Sequence, residues 1–592
     1  MRRSFLAALS LLCLVGAACS NTPDAPPAPA ADAASGSSAV AGGPAPGEWF
    51  TDRAKDTGLD FVHFNGMTGT FYQPEIMAPG VGLIDIDNDG DLDVYLVQGQ
   101  MLGTGTPLIP PPPGPLQDRL YRNDLQVAAD GTRTLHFTDI TAQSGIRPRG
   151  YGMGVAAGDI DNDGFVDLYL TGFGRNQMFR NNGNSTFTDV SKASGTDDPA
   201  SWGVSASFFD YDRDGLLDLF VGNYLNYTLA THTPCFGPSG APDYCRPEVY
   251  GAQPNRLYHN TGNGHFTDVT IPSGVAQAFG PALGAMAADF NRDGWPDLFV
   301  TNDEQENELW MNQKNGTFTN TALRAGAALG ASGERKANMG VDAGDFDADG
   351  DEDLFVTELI SQGSSLWVND GTGTFEEQSA RLGIRGPSLP YTGFGAAWLD
   401  FDNDGWLDLL TVNGDVNQNV KTLARPGDPF PLGQRRQLFR NTGGRFEDVS
   451  NSAGSMFATA DVGRGAAFGD IDNDGDTDVV VMNGAGPVRL LVNNLGARNH
   501  WLGLRLVSKG ARRDAVGARV EVRRSAGPVL VRRARADGSY ASANDPRVLA
   551  GLGTSTEVPR VRVTWPDGTS EEWSSVAIDS YTTLVQGQGQ AG

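Results

Sequence analysis

Asp159-Ile-Asp-Asn-Asp-Gly-Phe-Val-Asp167 is an acidic loop with carboxylates at its first, third, fifth and ninth positions and glycine at the sixth. The same phrase returns at Asp85–Asp93, Asp210–Asp218, Asp289–Asp297, Asp345–Asp353, Asp400–Asp408 and Asp470–Asp478. Regular repetition of this kind marks an array of similar units, each of which needs its neighbours to bury its apolar faces. Before the loop stands a small-residue run, as in Gly154-Val-Ala-Ala-Gly158. After it comes an apolar one, as in Leu168-Tyr-Leu170. Two further phrases keep step with it. A Leu-x-x-Asn phrase, once Met-x-x-Asn, ends at Asn123, Asn181, Asn260, Asn312, Asn369, Asn441 and Asn493. A phrase like Phe-Thr-Asp, followed by a glycine, begins at Phe50, Phe137, Phe187, Phe266, Phe318, Phe375 and Phe446. Short glycine turns join most of these two phrases, a hairpin signature. The unit is a four-stranded meander, and the repeats predict an all-β, seven-bladed β-propeller over residues 48–496.

Glycine stands five residues before the first Asp of every loop except the third, where Ser205 replaces it. Such glycines suit innermost strands crowded around an axis. Phrase order predicts the closure. Phe50 has no Leu-x-x-Asn before it, and Leu490–Asn493 has no Phe-Thr-Asp after it. The N-terminal strand is therefore expected to complete the last blade and leave no open edge.

The loops suit a hard divalent cation. Oxygens at positions 1, 3, 5 and 9 can converge where glycine permits a tight turn, and no softer ligand enters, so calcium is favoured over zinc, copper or magnesium, with up to seven ions. The candidate ligands are Asp85, Asp87, Asp89, Asp91 and Asp93; Asp159, Asp161, Asp163 and Asp167; Asp210, Asp212, Asp214 and Asp218; Asp289, Asn291, Asp293 and Asp297; Asp345, Asp347, Asp349 and Asp353; Asp400, Asp402, Asp404 and Asp408; and Asp470, Asp472, Asp474 and Asp478. The loops hold 31 of the 72 acidic residues, and carboxylates so crowded raise one another's pKa unless a cation is present. Seven calcium ions would halve the net charge of −28. That charge argues against a nucleic-acid partner.

The N-terminus reads as an export signal over residues 1–19: Arg2 and Arg3, then an apolar run from Phe5 to Ala18, too short to span a bilayer. Its end, Val15-Gly16-Ala-Ala-Cys19, resembles a bacterial lipobox and implies lipidation at Cys19, with Gly16 where that pattern prefers Leu. Ser20 after it implies the outer membrane or cell surface; simple secretion is the alternative. Residues 20–47, rich in Ala, Pro, Gly and Ser, read as a tether. Cys235 and Cys245 are the cysteines of the mature body, expected as a loop-clamping disulfide in an oxidising compartment.

The repeats are similar to the integrin-α type repeats called FG-GAP or VCBS. Ala515–Val520, Gly538–Ser542, Gly551-Leu-Gly553 and Val563–Gly568 resemble the ASPIC/UnbV domain, and the combination resembles the cartilage acidic protein family. One departure is Ala550, where that pattern favours a bulky aromatic. The resemblance implies extracellular calcium binding and adhesion-like contact. Residues 497–588 are expected to form a small β-sandwich-like domain, carrying fourteen basic and nine acidic side chains. Its Arg523, Arg524, Arg532, Arg533 and Arg535 could dock on the ring, face an anionic surface or lie solvated on strand edges.

Long insertions at 99–117, 223–255 and 415–436 fall between second and third strands, opposite the acidic loops. They form the expected binding face for an extracellular or envelope protein or glycan. The leading reading is a monomeric, exported, calcium-stabilised binding or adhesion module with a lipid anchor as its sole membrane contact. The alternatives are a polysaccharide lyase or hydrolase working in the axial funnel, and an envelope assembly scaffold. Six scattered histidines and no Gly-x-Ser-x-Gly elbow give an enzyme little to use, and no catalytic residue is assigned.

Overall fold

The structure, a computed structural model, describes residues 48–417, 432–510 and 512–592. The export signal, Cys19 and the tether lie outside the described residues, as does most of the third insertion.

The regular elements of the described residues are almost all β-strands, with one-turn helices among the connections. Each repeat is a meander of the kind formed by Gly393–Leu399, Asp408–Asn413, Gln437–Asn441 and Phe446–Asp448, every pair antiparallel. Seven such four-stranded units follow one another, and two of them are also joined by pairing between Asp167–Arg175 and Pro199–Phe209. The first strands, Val81–Ile84, Tyr151–Gly158, Pro199–Phe209, Ala282–Ala288, Val341–Gly344, Gly393–Leu399 and Gly463–Gly469, neighbour one another in sequence, and the last neighbours the first. This is the propeller arrangement, with apolar cores lying between successive sheets.

Closure follows the phrase order. Phe50–Asp52 is the outer strand of the last sheet, with Phe50 opposite Asn493 and Asp52 opposite Leu491. Phe50 is fully buried against Phe401 and Phe457 of the preceding unit.

At the axis the glycines are sterically required. A Cβ on Gly340 would sit 2.0 Å from the Phe394 carbonyl oxygen, and one on Gly80 would sit 1.8 Å from that of Ala541. Ser205, the exception, has a job of its own: its hydroxyl donates to Leu283 O and accepts the Ala541 amide.

Ala541 belongs to the C-terminal domain. That domain packs a sheet of Val548–Gly553, His500–Val507 and Tyr581–Val585 against a second sheet, Leu530–Arg533, Arg519–Arg523, Arg560–Thr564, Ser570–Trp573 and Gln590–Ala591. Leu504, Val520, Val563 and Trp565 lie in the core between them. From this sandwich the segment Gly538–Asn544 enters the centre of the ring. Ala543 bridges Gly82, Ser539 bridges Val341, and the Val155 amide donates to Ala541 O at 3.1 Å. Tyr540 is fully buried and donates to Met77 O at 2.8 Å. The axial funnel expected from the sequence is thus filled by the chain itself.

Candidate functional site

Every acidic loop is built around its own main chain. In six of the seven loops the first Asp accepts amides from positions 5 and 6, as Asp159 does from Asp163 and Gly164 at 3.2 and 2.8 Å, and Asp400 from Asp404 and Gly405 at 2.9 and 2.8 Å. These bonds curl the loop so that the side chains of positions 1, 3 and 9 converge. Carboxylate oxygens of Asp85, Asp87 and Asp93, of Asp159, Asp161 and Asp167, and of Asp210, Asp212 and Asp218 lie within 4.8 Å of one another, as do those of Asp345, Asp347 and Asp349.

The ninth Asp ties the loop to the Leu-x-x-Asn phrase. One oxygen accepts the Asn amide at 2.7–2.9 Å in all seven units. In six of them the other oxygen accepts the position-2 amide. The fifth loop is different: Asp353 Oδ2 and both oxygens of Asp345 are buried without a partner.

The remaining oxygens fit a cation. At position 3, the buried Oδ1 atoms of Asp87, Asp161, Asp212, Asp347 and Asp402 have no hydrogen-bond partner. Unpaired buried carboxylate oxygens are costly unless something positive meets them. Burial, and after it neighbouring carboxylates, pushes Asp159 up to about 6 and Asp400 and Asp470 up to about 7. Asp297 reaches about 8, again chiefly by burial. Desolvation outweighs the mutual repulsion that sequence reasoning put first.

Two features escaped the sequence reading. Asp351 and Asp476, at position 7 beside the candidate ligands, carry buried Oδ1 atoms without partners, as candidate Asp91's register in the first loop could have signalled. His259, on the strand Arg256–Asn260, faces the third loop, its Nδ1 3.1 Å from Asp218 Oδ1 and 3.5 Å from Asp212 Oδ2. The Asp218 hydrogen bond raises that imidazole to about 9. Its position, one residue before Asn260, was the available signal.

The C-terminal domain covers these loops. Arginines donate to the carbonyls of the position-6 glycines: Arg513 to Gly215, Arg519 to Gly350 and Arg532 to Gly405 at 3.0 Å each, and Arg547 to Gly90 at 3.2 Å. Arg535 makes a paired contact with buried Asp342, its Nη2 2.7 Å from Oδ2, and Arg533 reaches Glu352 at 3.2 Å. Of the three placements open for the arginine cluster, docking on the ring holds for Arg532, Arg533 and Arg535. Arg523 pairs within its own domain with Glu521.

At the other end of the strands lie the insertions. Cys235 and Cys245 form a disulfide within the second. Tyr224, Tyr227 and Tyr244 from that insertion, Leu102 from the first and Leu432 from the third share one apolar cluster with Met67, Ile76 and Met77. The segment holding those three was assigned no role from sequence. Glu75 within it is buried, accepts the Tyr244 hydroxyl, and is pushed up to about 8 by burial.

The FG-GAP-like repeat family matches residues 85–170, 159–221, 240–300, 289–356, 345–411 and 432–481, and the ASPIC and UnbV family matches residues 508–591. The chain is 26% identical to cartilage acidic protein 1 of Mus musculus over 85% of its own length and 74% of that protein's. It is also 26% identical to cartilage acidic protein 1 of Homo sapiens, over 47% of this chain and 38% of that one. Among solved structures, a Bacillus licheniformis rhamnogalacturonan lyase aligns over 71% of this chain and 90% of its own at 11% identity, with a TM-score of 0.28 that carries no argument about activity. With its repeats matched over more than half of its length, the chain belongs to the FG-GAP-like repeat family, and its C-terminal segment carries the ASPIC and UnbV match.

Proposed function

We propose that this chain is an exported, calcium-stabilised binding module that meets an extracellular or envelope protein or glycan on the face bearing insertions 99–117, 223–255 and 415–436. The observation that carries this reading is the position of the C-terminal domain: its arginines occupy the acidic-loop ends of the strands, which leaves the insertion ends open. Loops on a rigid frame are where recognition concentrates. The unpaired position-3 oxygens support calcium in the acidic loops, and the Cys235–Cys245 disulfide supports an oxidising compartment. Lipid on Cys19 would hold the module at the outer membrane.

The test has two arms. Wild-type protein, and a variant with residues 232–246 replaced by a short Gly/Ser linker, are compared for capture of surface components from envelope extracts, with melting curves as the folding control. Selective loss of capture in a folded variant is expected; equal capture by both overturns the assignment of the face. Separately, Cys19→Ala should move the protein from the membrane to the soluble fraction, and unchanged fractionation rules the anchor out.

A further inference from the structure

On the insertion side of the axis is a cavity of about 900 Å³. It is closed from behind rather than open as a pore: Tyr540 of the C-terminal segment packs edge-on to the cavity residue Phe394 at 4.9 Å and bonds to Met77, another wall residue. Cavities of this size with a few convergent polar groups are the usual seats of small ligands and anchoring side chains.

The wall combines two kinds of surface. Tyr224 and Tyr244 supply aromatic surface, with Leu283 and Met339 beside them. The charged wall residues are Asp243, Glu248, Asp303 and Glu304 against Arg246. Arg246 reaches Glu304 only at 3.7 Å, on a side chain that is 74% exposed, so it neutralises little inside. Arg464, with its guanidinium 4.1 Å over the Phe394 ring, is held by the carbonyls of Ile76, Gly414, Gly463 and Asp415. Asp303 is fixed in place: the Tyr224 hydroxyl donates to Oδ2 at 2.6 Å, and among the described residues no hydrogen bond reaches Oδ1. Burial raises its pKa to about 7; Glu304 and Glu358 add to the rise, and the Tyr224 bond opposes it.

A cation is the ligand that relieves this arrangement. A neutral sugar leaves the carboxylates repelling one another, and an acidic one adds to the repulsion. An ammonium or guanidinium gains charge-assisted hydrogen bonds, while its apolar stem gains aromatic contact. We propose that the cavity receives a basic side chain of a protein partner, its charged end on Asp303 and Glu304 and its stem against Tyr224 and Tyr244. This rests on the reading of the insertion face as the binding face and names what that face recognises.

The probe is N-acetyl-arginine amide, with N-acetyl-citrulline amide as its uncharged counterpart, titrated into the full chain by calorimetry. The arginine derivative should bind at least tenfold more tightly than the citrulline one. Asp303→Asn keeps an acceptor for Tyr224, and Glu304→Gln keeps the side chain's shape; each should erase most of that difference without shifting the melting curve. Equal affinity for the two probes, or a preference unmoved by both variants, overturns the cation site. If a surface partner is captured equally by wild type and by both variants, the site fails while the binding face stands. If the arginine probe binds through Asp303 but no partner is captured, the site stands and the reading of the face fails.

Discussion

Asn181 shows what one repeated residue does. Its amide donates to Asp167, closing its own loop, and its side chain donates to the carbonyl of Ile86 in the loop of the preceding unit at 2.8 Å. The same reach recurs around the ring, from Asn260 to Ile160, Asn312 to Tyr211, Asn369 to Phe290, Asn441 to Phe346 and Asn493 to Phe401. It closes with Asn123 bonded to Ile471 at 2.9 Å. The glycine of the third phrase makes the complementary contact: Gly326, at φ +85, lies so near the Phe375 carbonyl that a Cβ would sit 2.3 Å from it. The phrases were legible in the sequence because identical local jobs recur seven times; that two of them also join neighbouring units was not, since the Asn side chains reach partners 79 or more residues away and Gly326 reaches Phe375. Asn181→Ala leaves the buried carbonyl of Ile86 and the partly buried one of Val166 without their donor and should cost about 1–3 kcal/mol. Urea denaturation measures this, and a loss below about 0.5 kcal/mol would show that the contact carries no weight.

At the scale of elements, one three-residue strand closes the ring. Phe50–Asp52 pairs with Leu491–Asn493, and Arg489 bonds to both Asp52 and Asp461. Without that strand the last sheet would present a row of unpaired amides and carbonyls. Phe50→Ala alone should cost about 3–5 kcal/mol, as expected for a fully buried phenylalanine. Deleting residues 48–56 should cost more, whereas deleting 20–47 should leave the melting curve where it is; equal behaviour of the two deletions would refute the closure's importance. This element was readable because phrase order alone demanded it. The segment Gly538–Asn544 was not. Its sequence, Gly-Ser-Tyr-Ala-Ser-Ala-Asn, carries no strand periodicity, and its partners Gly82, Val155 and Val341 lie about 200 to 460 residues away. The arginines of its domain were ambiguous for the same reason. A guanidinium on a strand edge reads alike whether it meets water or a glycine carbonyl, and only the tertiary arrangement decides.

At the scale of the whole molecule, the acidity of the chain becomes a stability question. The C-terminal domain answers part of it, since Arg505, Arg513, Arg532 and Arg547 bring positive charge against Asp85, Asp210, Asp400 and Asp470. Arg535→Ala would strand buried Asp342 and should cost about 3–5 kcal/mol, the usual penalty for breaking a buried ion pair, read as a lower denaturation midpoint. The arginines leave the position-3 oxygens unpaired, and the pH dependence of stability follows from that. Without metal, burial first and neighbouring carboxylates second raise folded Asp159 from 3.8 to about 6, Asp400 and Asp470 to about 7, and Asp297 to about 8. Between about pH 4 and 8 the folded chain therefore holds more protons than the unfolded one, so its stability falls as pH rises. Calcium held as proposed would bind the ionised carboxylates, and by mass action its contribution would grow over the same range. Calcium-depleted protein should thus melt at a higher temperature at pH 5 than at pH 8, and the gap between loaded and depleted protein should widen steadily from pH 5 to 8. Scanning calorimetry in both states reads the gap directly. A gap that stays constant or narrows with rising pH would mean that the loop carboxylates are not the groups that hold the cation.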